Sequence, residues 1–211
     1  MPMERVIEPE IIDGMAPDHP MAIRSRRDLR MINFIMGNER WIRGCVKKHR
    51  ASAAKGIVEL GAGGGELLGT LASYGPSTGY DLVPKPEHLG EEVSWKQGDL
   101  WAREAEISGG ILVANLFLHH LQAEELGRLG DMAKRFDVLI FVEPLRTKDA
   151  EWMGERLLPI VGEATKHDMM VSIRAGFVAG ELPELLGLGS EWKVSERSTW
   201  RGGHRVLALR A

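Results

Sequence analysis

The sequence predicts an α/β fold: a seven-stranded sheet, mostly parallel, that closes with a C-terminal antiparallel hairpin and is preceded by helices. Three observations carry this. Gly56 to Leu71 reads as strand, glycine turn and helix. Short apolar runs then alternate with segments of helical spacing as far as Pro144, which is the pattern of successive β-α units. The chain ends in two β-type runs, Trp192 to Trp200 and His204 to Leu209, around Arg201-Gly202-Gly203, which is a hairpin signal.

In the first unit, Ile57 to Leu60 is an apolar run with a β-branched pair, and Leu67, Leu68 and Leu71 recur at helical spacing. Between them, Gly61, Gly63 and Gly65 allow positive φ and remove the Cβ atoms that would hold a ligand off the main chain. The helix that follows opens with N–H groups free to bond an anionic or polar group, so a nucleotide-like cofactor is expected. The dinucleotide spacing G-x-G-x-x-G, applied from Gly61, places Glu66 at the third glycine. Glu59, two residues before Gly61, would repel a pyrophosphate but suit a cation or an amine.

The run V-E-L-G-A-G-G-G resembles the first motif of class I S-adenosylmethionine (SAM) dependent methyltransferases, which have a Rossmann-like sheet. The resemblance covers Gly56 to Ala211 in layout. It implies SAM as cofactor and S-adenosylhomocysteine (SAH) as product. It places Glu59, Gly61, Gly63 and Asn115 around the methionyl end, with Ala62 and Leu82 counted among the cofactor contacts. Asp81, about twenty residues past the loop, stands where an acid accepts ribose hydroxyls. Gln97-Gly98-Asp99-Leu100 resembles the family's turn after strand three, which gives Asp99 and Leu100 to adenine. Trp101 either lies against that ring or belongs to the core.

The chain has 211 residues, 44% of them hydrophobic, and a formal charge of −3, which suits one α/β domain with a sizeable core. That charge makes no global case for nucleic acid, although local patches can still matter. Cys45 is the single cysteine, so neither an internal disulfide nor a CxxC metal site is available. The N-terminus lacks the apolar core of a signal peptide, and no stretch approaches the ~18 apolar residues of a membrane span. A cytoplasmic protein is expected, with its oligomeric state open.

Residues 1 to 20, with Pro2, Pro9, Pro17 and Pro20, read as an irregular arm. Met21 to Met36 carries Leu29, Ile32, Ile35 and Met36 on one helical face and Arg24, Arg26, Arg27 and Arg30 on much of the rest; Gly37 closes it, and Asn38 can cap a second helix. The resemblance makes this pair a lid over the cofactor, so residues 1–50 form an arm and lid and 51–211 one cofactor-binding unit; the arginines otherwise form a solvated face. Asn33 either reaches the ligand or completes a helix contact. Pro84 and Pro86 leave little room for a helix before the next strand, Val93 to Lys96.

Ile111 to Leu118 reads as a central strand interrupted by Asn115, and it leads to His119 and His120. Ligands of open α/β sheets gather at the strands' carboxyl ends, which puts Asn115, both histidines and Glu143 at the functional edge. N-L-F-L-H-H-L resembles the fourth motif of small-molecule methyltransferases that act on phenols. A histidine could deprotonate such an acceptor near neutral pH, so His119 or His120 is the candidate base; alternatively both order the turn. Gln122 to Phe136 reads as a helix, Asp137 to Val142 as a strand, and Trp152 to Val161 and Glu181 to Leu188 as helices. His167 and Asp168 fall in an expected loop, where with Arg174 they could line the pocket.

The expectation is therefore methyl transfer, an in-line displacement, to a small hydrophobic or phenolic acceptor. No metal is called for, since Asn115 and Leu116 stand where a metal-dependent catechol enzyme would want an acid. The alternatives are an NAD(P)-dependent oxidoreductase, which Glu66 and the terminal hairpin oppose, and a non-catalytic SAM-binding protein.

Overall fold

The strands pair in the order β3-β2-β1-β4-β5-β7-β6, with β1 at Ile57–Leu60, β2 at Ser77–Asp81, β3 at Val93–Gln97, β4 at Ile111–Asn115, β5 at Val138–Pro144, β6 at Trp192–Ser198 and β7 at Gly203–Arg210. The first five run parallel, and β7 enters antiparallel between β5 and β6. This computed structural model describes residues 3–16, 19–157 and 159–211. The expected seven-stranded sheet and closing hairpin are both present.

The helices are α1 (Pro20–Met36), α2 (Asn38–Lys48), α3 (Arg50–Ala53), α4 (Glu66–Leu71), α5 (Ala123–Ala133), α6 (Lys148–Leu157), α7 (Glu163–Ala175) and α8 (Glu181–Leu185). Every residue of β5 is buried, because helices cover both faces of the sheet's centre. On one face Leu112, Leu139 and Phe141 meet Leu126, Leu129 and Met132 of α5 and Leu182 of α8. On the other, Ile111, Val113 and Ile140 meet Ile42 and Val46 of α2 and Leu67 and Leu71 of α4. Each fully buried leucine or isoleucine contributes roughly 1.5–3 kcal/mol, so these two layers fix the strand ends that carry the site. The β2–β3 crossover has no helix, as its prolines implied.

Four local expectations are corrected. The Ile111 to Leu118 run is strand only to Asn115: Leu116 turns to φ +56°, and Leu118–His120 is a 3₁₀ turn. Helix α7 occupies most of the stretch assigned to a loop around His167 and Asp168; it buries Thr165 and Asp168 along with its apolar side chains, which blurs the helical period. Gly37, in the left-handed conformation, both ends α1 and caps α2, while Asn38 is buried just inside α2. The helix expected at Trp152 to Val161 begins earlier, at Lys148, and the expected span includes Leu158, which lies outside the described residues, as do Pro2 and Pro17 of the arm.

The arm is ordered by side chains from far along the chain. The Asp168 carboxylate accepts from the Ile11 and Ile12 amides at 2.7 and 3.1 Å, where a 3₁₀ turn, Ile12–Gly14, begins. The Arg5 guanidinium donates to the carbonyls of Ala175, His119 and Leu121 and lies 4.5 Å from the centre of the Phe177 ring. Helix α1 is anchored similarly: buried Asp28 accepts from the Gly162 amide and the Thr165 hydroxyl at 2.7 and 3.0 Å.

Candidate active site

The carboxyl ends of β1, β2 and β4 open into a single cavity of about 1160 Å³, roofed by α1 and the arm. At one end lies the glycine loop. Gly61, Gly63 and Gly65 have φ of +63°, +52° and +76°, so their glycine identity is conformational. A Cβ on Gly61 would fall 2.3 Å from the Phe117 ring, whereas one on Gly63 would meet nothing within 4 Å. Gly61 is thus reserved for packing and Gly63 for space that a ligand can enter. Ala62, Leu82, Asp99 and Leu100 also line this end.

Glu59 is the unusual member. It is 3% exposed, and its Oε2 has no hydrogen-bond partner among the described residues. Burial, reinforced by the negative charges of Glu39, Asp81 and Glu66 and only partly offset by the Leu68 amide, raises its pKa well above the ordinary carboxyl value. A buried acid in a negative field is costly unless a cation joins it, so the donor set fits an ammonium group. Asp81 is better provided: its oxygens accept from the amides of Gly63 at 2.6 Å and Val83 at 3.0 Å, holding the loop across the cavity mouth.

Asn115, at the tip of β4, donates to Asn33 Oδ1 at 3.1 Å, and the same oxygen accepts from Asn38 at 3.0 Å. Asn33 therefore makes a helix contact and lines the cavity as well. Buried Asn115 Oδ1 has no partner among the described residues, which leaves an acceptor for a ligand N–H. Asp99 accepts from the Trp101 amide at 2.9 Å. Trp101 combines both expected roles: it packs on the core and lines the cavity, with its indole N–H donating to Glu125 at 3.0 Å.

The other end is built on Glu143, which is wholly buried at the end of β5. Its carboxylate accepts from the amides of Phe117, Leu118 and His119 at 3.1, 2.8 and 3.3 Å, and it meets His119 Nδ1 at 2.8 Å. This concentration of acceptors explains the Leu116 turn, which gathers three consecutive N–H groups on one anion. On the opposite side His119 Nε2 lies 3.5 Å from Glu10 Oε1 of the arm, an ion-pair distance. Glu10 also accepts from Ser172 of α7.

The two histidines consequently differ. Burial alone would lower the His119 pKa, but the carboxylates of Glu10 and Glu143 on either side of the ring prevail and raise it to about 9. Burial and the adjacent His119 charge lower His120 to about 4. Their ring centroids are 4.2 Å apart, and between those limits the pair holds one proton, on His119. Burial would raise Glu10, but pairing with His119, the charge of His120 and the Ser172 hydroxyl outweigh it and the carboxyl stays below its usual value. Asp13, beside it in the cavity wall, is raised to about 6 by burial and the charges of Glu10 and Asp168.

The glycine loop, Asp81, Asp99, Asn115 and the histidines thus share one cavity, as the sequence suggested, whereas Asp168 secures the arm. Glu10 and Asp13 were missed because they lie in an aperiodic arm, and only the fold brings them to His119. Among the described residues, Glu10, His119 and His120 are a group with metal-ligand potential, their donor atoms all within 4.8 Å of one another. Glu10 and Glu143 both face His119, however, which makes the arrangement an ion-paired imidazole.

No family model and no curated protein matches the sequence. Solved structures do match in fold. The plantazolicin methyltransferase BpumL in complex with SAH aligns at a TM-score of 0.69 with 10% identity, covering 95% of this chain and 93% of that one. The magnesium protoporphyrin IX methyltransferase ChlM from Synechocystis PCC 6803, also with SAH, aligns at 0.54 with 15% identity over 95% and 91%. The pyocyanin biosynthetic protein PhzM aligns at 0.52 with 20% identity; the match covers 75% of this chain and about half, 51%, of PhzM. The chain has the class I methyltransferase fold.

Proposed function

We propose that this protein is a SAM-dependent methyltransferase acting on a hydroxyl of a small hydrophobic or phenolic acceptor. The observation that carries the reading is the single cavity joining the glycine loop and Glu59 to the histidine pair, since methyl transfer requires donor and acceptor in one enclosure. SAM, when bound, supplies an electrophilic methyl group on a sulfonium centre. Glu59 receives the ammonium of that cofactor, Asn115 accepts from it, Gly63 lets it approach the backbone with Gly61 and Ala62 in the same loop, and Asp81 with Leu82 and Asp99 with Leu100 hold the ribose and adenine. SAH in the BpumL and ChlM structures supports this choice.

At the acceptor end Ile12, Met15, Met153, Met169 and Ile173 supply an apolar wall. His119, held cationic, favours the ionised form of an acceptor hydroxyl, and neutral His120 accepts a hydrogen bond that orients that hydroxyl, whose proton passes to solvent. Residues 1–50 serve as arm and lid and 51–211 as the binding unit. No metal is required, because the His119 cation supplies the positive charge; a chelator is expected to leave turnover unchanged.

The test is calorimetric titration with SAH, NADH and NADPH, followed by a screen of phenolic acceptors. Micromolar binding of SAH alone is expected. His120→Ala should lower turnover by about tenfold or more and change SAH affinity less than about threefold. Binding of a nicotinamide alone would overturn the reading. SAH binding with no turnover of any acceptor would reassign the chain to a non-catalytic partner or sensor.

A further inference from the structure

A second cavity of about 550 Å³ lies between the α1–α2 junction and the terminal hairpin, adjoining the first through Met36, Trp200 and Arg201. Arg40, Lys48, Arg197, Arg201 and Arg205 line it, and no carboxylate among the described residues does. None of these five cations forms a salt bridge with a carboxylate among the described residues. In a chain of net charge −3, that is a pronounced local excess.

Its centre is set by strand register. Arg197 of β6 and Arg205 of β7 are direct partners across the antiparallel ladder, so two guanidinium groups share one face. Like charges placed opposite each other destabilise a hairpin. Burial, then Arg197, and more weakly Arg201, lower the Arg205 pKa. Arg205 donates through Nη2 to the carbonyls of Met36 and Gly37 at 3.0 and 3.1 Å, which fixes the side chain, while its buried Nε has no partner among the described residues. Trp200, 78% exposed at the hairpin turn, carries Arg201 4.9 Å from its ring centre, an exposed aromatic surface at the groove's edge.

We propose that this groove binds a phosphate-bearing ligand between Arg197, Arg201 and Arg205, with Trp200 at its rim. Guanidinium forks match phosphate oxygens bidentately, and a multiply charged anion relieves the Arg197–Arg205 opposition that no carboxylate among the described residues relieves. Because the groove adjoins the larger cavity, a phosphate there can belong to the acceptor. The same chemistry is offered by the phosphodiester chain of a single-stranded nucleic acid, with a base stacked on Trp200.

Phosphate binding here can be measured without methyl transfer, so the test keeps the two readings apart. Protein saturated with SAH, to block the cofactor end, is titrated with pyrophosphate and separately with a single-stranded oligothymidylate, following tryptophan fluorescence at two salt concentrations. Salt-sensitive binding of either probe is expected. Pyrophosphate binding identifies a phosphate ester, and oligothymidylate binding alone identifies a nucleic acid. Arg197→Glu should weaken the probe by about tenfold or more while raising the apo Tm by about 2–4 °C, since it converts a repulsive pair into an attractive one. Arg40→Gln, away from the hairpin, should weaken binding with an unchanged Tm. Absence of binding by both probes, or binding that neither substitution affects, would overturn the proposal. Failure of SAH to bind would instead count against the methyltransferase reading, with the phosphate titration still interpretable.

Discussion

The two ends of the large cavity are built by opposite routes. The cofactor end is local: Glu59, the three glycines and Asp81 come from one β-α-β unit, and backbone conformation does most of the shaping. The acceptor end is assembled from afar. Glu10, His119, Glu143 and Ser172 are held together by side-chain bonds among an arm, a 3₁₀ turn, a strand end and a helix. The first end depends on what the chain leaves out, namely Cβ atoms and a counterion. The second depends on what it brings in, so removal of one group should damage the second end far more.

Glu143→Ala gives the largest effect. It withdraws the acceptor for three amides and the buried His119 ring in one step, and loss of one partner from such a buried pair costs about 3–5 kcal/mol. At the few degrees per kcal/mol typical of this size, thermal unfolding should show a Tm lower by roughly 10 °C or more. A change no larger than that of an exposed substitution would mean that the acceptor end is not organised by this carboxylate.

The same contrast governs what could be read in advance. The loop from Gly61 to Gly65 was legible because one short window contains both the turn and the reason for its glycines. The sheet was legible because each strand keeps its own apolar run, and even the missing β2–β3 helix followed from Pro84 and Pro86. Glu10 was not legible: nothing around it is periodic, and its meaning comes from the Asp168 carboxylate that fixes Ile11 and Ile12 far along the chain. The Leu116 turn was hidden for a related reason. An apolar run predicts an unbroken strand, and the buried anion that bends it lies on the neighbouring strand.

The His119 cluster also sets a pH window. Folding raises the His119 pKa from the ordinary 6.5 to about 9, so the native chain holds a proton that the unfolded chain releases. This stabilisation is complete below about 6.5 and is lost as pH rises through about 9, on the order of 3 kcal/mol in all. Tm measured across that interval should fall. Glu10→Gln removes one of the two carboxylates, so the fall should become smaller and finish at lower pH. An identical Tm profile for the variant would show that the arm does not hold the imidazolium.

Glu59 should give the smallest effect on stability, and with the opposite sign. Because folding raises its pKa, the folded chain resists ionising this group, and Glu59 detracts from stability as pH rises above the ordinary carboxyl value. Glutamine resembles the neutral acid in shape and carries no charge, so Glu59→Gln should raise the apo Tm by about 2–4 °C at neutral pH. The ligand responds in the reverse direction. An arriving ammonium draws Glu59 into its ionised form, so SAH binding should release a proton, measurable as a dependence of calorimetric heat on the buffer's ionisation enthalpy. The variant should bind SAH about tenfold or more weakly and release none. Wild-type binding without proton release, or a variant that binds equally well, would remove Glu59 from the cofactor site and leave its burial without a compensating function.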